Sequence, residues 1–300
     1  MIGEADIEAY ERDGVVCIRG VIGPEEAATM REASRALMTT PSPPREARSM
    51  LIGDSGATVQ NEPGRFFSGL FMSDAVPIFR DFALSSALPQ AAAALMRSQV
   101  ARFFFDQIFI KEPGTISPTR WHHDMPFWPL TGNHLISAWV ALTPVTKASS
   151  GMEYVAGSHL WDKFYRPTTT SPDMTLEPAP DFSEPANRAG HRILDWDMQP
   201  GDVLFHHPLA VHGAGANGSL TQDRVGLSIR YIGDDARWAP REKSIPLPRM
   251  PKVAAGDYPA DDEAFPIAWS AAPGIQNEAA VGWRNPIRPQ RCRAGRWRWC

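Results

Sequence analysis

Chemistry enters this sequence at Trp121-His122-His123-Asp124. His122 and Asp124 stand at i and i+2, and in an extended strand alternate side chains share one face. An imidazole nitrogen and a carboxylate oxygen can then reach a single ion. A third ligand must come from further along. His206, His207 and His212 in HHPLAVHGAGANGS are all permitted by spacing, with His212, at the head of the glycine-rich turn, the best placed. Two imidazoles and one carboxylate leave positions of a metal open, the arrangement non-haem Fe(II) centres use. His123 has the opposite parity and is expected to face away, satisfied by a hydrogen bond.

The elements that must position these residues read as β-rich. RFFFDQIFIK alternates from Phe105 to Lys111 as a strand, HLISAWVAL (134–142) is another, and Met152 to Val155, Ile193 to Trp196, Asp202 to His206 and Val225 to Ile232 follow. Turns punctuate them at Glu112-Pro113-Gly114, Ala156-Gly157-Ser158 and Gln199-Pro200-Gly201. Many short strands with such punctuation favour a sandwich or barrel. Ahead of them lie a short helix over 4–12 ending at Gly14, a buried strand in Gly14 to Ile22, a helix from Pro24 to about Met38, and a helical stretch over 74–97. Residues 41–65 and 161–190 are irregular and read as loops over the mouth of the barrel. After Trp238 the chain is proline-dotted without a clear period.

Composition excludes several classes. The formal charge of −4 over 300 residues argues against nucleic acid as a partner. No apolar run is long enough to span a membrane. The acidic start MIGEADIEAYERDG lacks the pattern of a secretory signal, and three cysteines make no framework, so a cytoplasmic setting is the expectation. Residues 284–300 carry six arginines and no acid, which sets them apart as a basic tail expected to be disordered.

Several stretches together resemble the phytanoyl-CoA dioxygenase family, a branch of the Fe(II)/2-oxoglutarate oxygenases. ERDGVVCIRGVI is similar to its first strand, WHHDMPFW to its HxD strand and SAWVALTPVT to the strand after it. EYVAGSH resembles EYVPGSH, and GDVLFHHPLAVHGAGANGS its distal-histidine strand. The resemblance covers roughly residues 5–235. It implies a mainly β double-stranded β-helix, or jelly roll, with flanking α-helices. It also implies a single oxygenase domain over 1–283, with a helical N-terminal region (1–99), a β-helix core (100–235) and an irregular C-terminal segment (236–283). It implies Fe(II) on His122, Asp124 and His212, and 2-oxoglutarate and O2 as cosubstrates. Arg224 would pair with the far carboxylate of 2-oxoglutarate, which suits a guanidinium because it can form two parallel hydrogen bonds. Gln107 and Trp139 would line the cosubstrate pocket. The implied reaction is hydroxylation of an unactivated C–H of a small organic molecule. Because Asp124 is present, hydroxylation is favoured over halogenation. Three positions depart from the family pattern: Arg224 lies one residue further from His212 than is usual, Ala214 stands where a serine often sits, and Ala156 replaces a turn proline.

Other readings compete residue by residue. Arg230 shares the strand parity of Arg224 and reads as structural or as a substrate contact. Lys111 reads as a solvated strand end or, in the alternative, as a cosubstrate contact. Phe127 and Trp128 are core residues or a wall of the substrate pocket. Asn217 is expected to hold the loop after His212, and His134, His159 and His191 to be structural. The rival functions are a cupin-like metal-dependent isomerase or hydrolase without 2-oxoglutarate, and a non-catalytic small-molecule-binding jelly roll.

Overall fold

A computed structural model describes residues 2–39, 64–167 and 173–272. The expected loop 41–65 lies almost wholly outside the described residues, as does the basic tail, and the excursion 161–190 is described except for 168–172. Helix α1 (Glu4–Asp13) ends on Gly14, whose φ of 75° is the left-handed conformation that glycine adopts without cost. A side chain there would also collide with the His159 ring. Strand β1 (Val15–Ile18) follows, then α2 (Pro24–Thr39), with Pro24 at its start and Glu25 and Glu26 in its first turn.

Strand β2 (Phe66–Leu70) has no counterpart in the sequence reading. The expected helix over 74–97 is three short ones, α3 (Met72–Ala75), α4 (Pro77–Ser85) and α5 (Leu88–Leu95). Pro77 and Pro89 explain the breaks, since each sits in a helix's first turn, where a missing N–H costs nothing.

The strands then run β3 (Val100–Lys111), β4 (Thr119–His122), β5 (Leu130–Thr131), β6 (Leu135–Ala141), β7 (Met152–Val155), β8 (Ile193–Asp195), β9 (Val203–His206), β10 (His212–Ala214), β11 (Arg224–Ile232), β12 (Arg237–Trp238) and β13 (Ile267–Ser270), with α6 (Pro185–Arg188) before β8. The large sheet has the order β1-β9-β6-β11-β3-β13, with β2 also on β3; the smaller one is β4-β10-β7-β8. All pairings in these two sheets are antiparallel. This is the jelly-roll arrangement. β1, near the N-terminus, and β13, beyond Trp238, both belong to the large sheet, so the segment after Trp238 is less irregular than its prolines suggest.

Strand β11 shows how the sheet divides its faces. Val225, Leu227, Ile229 and Tyr231 join the apolar layer formed with α1, α2, α4 and α5, including Met30, Phe79 and Phe82. Burying each aliphatic side chain there stabilises by about 1.5–3 kcal/mol. The alternate residues Arg224, Gly226, Ser228 and Arg230 face the barrel interior and are buried too. A strand of this kind alternates apolar against helices with polar inside, the reverse of an ordinary half-exposed sheet.

Candidate metal centre

Register brings the candidate metal ligands together across the small sheet. His212 pairs with His122 on one side and with Tyr154 on the other. One ligand atom each from His122, Asp124 and His212 lies within 4.8 Å of the others. The His122 and His212 rings are 4.3 Å apart between centroids, and Tyr154 stacks on His212.

Asp124 arrives by a different route from the one its spacing suggested. β4 ends at His122, and Asp124 has helical backbone angles (φ −80°, ψ −31°) ahead of the short turn Met125–Phe127. The chain turns because the N–H groups of Asp124 and Met125 both donate to Pro208 O. The carboxylate nonetheless comes within 3.5 Å of His122 Nε2. His123 points away, as its parity predicts, and its Nε2 accepts the Tyr165 N–H at 2.5 Å.

Both imidazoles are set for a metal. His122 Nδ1 donates to Arg120 O at 2.7 Å and His212 Nδ1 to Ala210 O at 2.9 Å, which leaves Nε2 free on each. Burial, then His122 and His206, hold the His212 imidazole well below its usual value, so it stays neutral. Burial alone would raise Asp124. The nearby imidazoles of His122 and His206, with the charges of His212 and Arg230, outweigh it and hold the carboxyl well below the usual carboxylate range. A carboxylate at Asp124 and a neutral imidazole at His212 are the forms a metal requires. His122 and Asp124 keep 12% and 14% of their side-chain surface exposed, so the centre is reached from that side.

A second group lies further along the interior. Arg224 pairs in register with Lys111 at the start of β11. Lys111 is fully buried, which overturns its reading as a solvated strand end: β2 covers β3 there, and Phe66 lies opposite Lys111, with Nζ 4.8 Å from the ring centre. Lys111 Nζ donates to Ser150 Oγ at 3.0 Å and to Gly215 O at 2.8 Å, and Arg224 Nη2 to Ser150 Oγ at 3.2 Å. Arg224 Nε is buried without a partner. Among the described residues, neither cation is in an ion pair with an acid. Burial and then Arg224 pull Lys111 down to about 6; burial pulls Arg224 down to about 10. Such a pair fits a buried anion, and 2-oxoglutarate is a dianion.

Trp139 lies below the Arg224 guanidinium, 5.5 Å to the ring centre. A Cβ on Gly226 would stand 2.1 Å from its Cζ2, so only glycine lets the indole lie there. Ser150 is the member that sequence reasoning missed. Its hydroxyl, held by a non-glycine residue at φ 70°, meets both cations where Ala214 offers none. Gln107 is two rows away instead, accepting from Arg230 and donating to Ser68. Asn217 behaves as expected, donating to Lys111 O, Glu112 O and Gln222 O. Trp128 is 1% exposed and packs edge-on against Phe104 and Phe105, so it is core, while Phe127 is half-buried at the margin of that cluster.

Residues 10–226 match the phytanoyl-CoA dioxygenase (PhyH) family. The multifunctional dioxygenase prhA of Penicillium brasilianum is 25% identical over 240 residues, covering 76% of this chain and 72% of that one. The structure of the epimerase SnoN in complex with Fe3+, alpha ketoglutarate and nogalamycin RO matches with a TM-score of 0.68 at 25% identity, covering 89% and 98% of the two chains. EctD from S. alaskensis with 2-oxoglutarate and 5-hydroxyectoine shares the fold, with a TM-score of 0.65 at 18% identity over 86% of each chain. Among the described residues no helix is long and apolar enough to cross a membrane. The chain belongs to the phytanoyl-CoA dioxygenase family, and it is a non-haem iron dioxygenase that uses Fe(II), 2-oxoglutarate and O2.

Proposed function

We propose that His122, Asp124 and His212 hold Fe(II), that Arg224 and Lys111 hold the far carboxylate of 2-oxoglutarate, and that the enzyme hydroxylates an unactivated C–H of a small organic molecule. The observation that carries this reading is that Lys111 and Arg224, buried on the large sheet, have no acid partner among the described residues, and that Lys111 reaches Gly215 O just beyond the strand that carries His212. Bound between the three ligands, the iron supplies the oxygen chemistry that couples decarboxylation of 2-oxoglutarate to succinate and CO2 with insertion of an oxygen atom into the substrate.

The protein's own groups do the rest. Arg224 and Lys111 orient the cosubstrate and balance its charge, and Ser150 aligns both cations. Trp139 excludes water beside Arg224. Phe127 and Arg230, on the Asp124 side, are the substrate-facing candidates. A metal-dependent isomerase or hydrolase without 2-oxoglutarate would gain nothing from two buried cations set back from its metal. Anaerobic addition of Fe(II) and then 2-oxoglutarate should bring up a weak charge-transfer absorption in the visible range. A metal-loaded protein showing no such band at saturating 2-oxoglutarate would refute the proposed chelation.

A further inference from the structure

Asp124 presents its two oxygens to different neighbours. Oδ1 faces His122 Nε2 at 3.5 Å, whereas Oδ2 has His206 Nε2 and Arg230 Nη2 each at 3.9 Å. Both donors come from the large sheet, in one cross-strand row: Arg230 pairs with Ser137, and Ser137 with His206. His206 Nε2 has no hydrogen-bond partner although the residue is 2% exposed. A buried donor is seldom left so without a reason.

Each donor is aimed by a neighbour. The Tyr154 hydroxyl lies 3.2 Å from His206 Nδ1. With the acceptor-only Asp124 Oδ2 on the Nε2 side, the imidazole hydrogen belongs on Nε2, towards Asp124, and Nδ1 accepts from the phenol. The Arg230 guanidinium lies over the Phe105 ring, 4.4 Å to its centre, and Nη2 also donates to Gln107 Oε1 at 3.0 Å. Its plane is fixed on one side and tethered on the other.

We propose that Arg230 and His206 are positioning residues that hold the outer oxygen of Asp124, across a gap that one water or a small inward shift closes, so that the carboxylate binds the metal through Oδ1 alone. A carboxylate free to chelate with both oxygens would occupy a position that 2-oxoglutarate or O2 needs. Two donors on Oδ2 oppose that and fix the carboxylate plane. The role is separate from that of Arg224, six residues earlier on the same strand, and it rests on the reading of His122, Asp124 and His212 as the metal ligands.

The test is titration of Co(II) alone into the apo full-length chain, followed by calorimetry and by visible ligand-field absorption. Wild type should bind one equivalent. Arg230→Gln should weaken binding by roughly 10- to 100-fold and shift the absorption towards that of a higher coordination number. Arg230→Lys should recover some of the affinity. Tyr154→Phe, a milder change that leaves the fold less exposed to failure, should weaken binding a few-fold in the same direction. Apo melting temperatures identify any variant whose loss is one of folding. Unchanged affinity and spectrum in folded Arg230→Gln and Tyr154→Phe would overturn the proposal. Failure of wild type to bind Co(II) at all would instead remove the metal reading on which it rests.

Discussion

The two ends of the barrel interior solve the burial of charge in opposite ways. Around Asp124, three imidazoles and the Arg230 guanidinium surround one carboxylate, so the protein balances its own charge. Around Ser150, Lys111 and Arg224 meet with no acid beside them among the described residues. The two arginines are six residues apart on one strand, about 20 Å of backbone, yet one has a carboxylate nearby and the other has none among the described residues. A self-balanced cluster is built to stay formed without a ligand. A cluster of buried cations stays costly until an anion arrives, and that difference supports the proposed assignment of the two ends to metal and to cosubstrate.

The largest effect should come from breaking the balanced end. His212→Ala or His122→Ala is expected to abolish stoichiometric Fe(II) retention and detectable turnover, while His123→Ala, whose ring contacts run to Phe164, Tyr165 and Leu209, should retain the metal. Metal analysis after gel filtration separates the cases, and retention by His212→Ala would break the assignment.

At the incomplete end, Arg224→Ala should cost about 2–5 kcal/mol of 2-oxoglutarate binding, at least roughly thirtyfold in Kd. Arg224→Lys should fall between, because a point charge replaces a fork. Metal affinity should not move in either. Calorimetry on the metal-loaded protein reads both.

Gly226→Ala sharpens the same contrast by sterics, since the new Cβ would stand 2.1 Å from Trp139 unless the indole leaves its place beside Arg224. The 2-oxoglutarate KM should rise roughly tenfold with Co(II) binding intact. An unchanged KM would show that the indole does not shape the cosubstrate site.

The smallest effects concern Lys111. Burial first, then Arg224, lowers it from 10.5 to about 6. Between those values the unfolded chain holds more protons than the folded one, so apo stability should rise as pH climbs through that window. Lys111→Met should flatten the slope and stabilise the apo protein near neutrality by about 1–2 kcal/mol, while weakening 2-oxoglutarate. Binding of the dianion to wild type near neutral pH should take up to one proton, seen as a dependence of the calorimetric heat on buffer ionisation enthalpy. No uptake would mean that Lys111 does not recharge against the cosubstrate.

Much of the site was legible because it lies in local strings. WHHD and HGAGANGS name the donors, and the alternation in RVGLSIRY puts Arg224 and Arg230 on one face whatever the fold. The turn at Asp124 was not legible: its N–H and that of Met125 are captured by Pro208, more than eighty residues away in the chain. Nor was Ser150, which reads as one serine in a polar turn until the sheets close over it.

By itself, then, the sequence determined the chemical types present, two imidazoles and a carboxylate with a forked cation behind them, because side-chain chemistry and strand parity are properties of short segments. The tertiary structure alone decided which histidine stands across from His122. His206 and His212 are both buried beside Asp124, and only the pairing of β10 between β4 and β7 places His212 opposite His122. It also decided that Lys111 is buried rather than solvated, since β2 and Ser150 reach it from distant stretches of the chain. Parity selects a face; what stands across from that face is set by contacts between segments that no local pattern encodes.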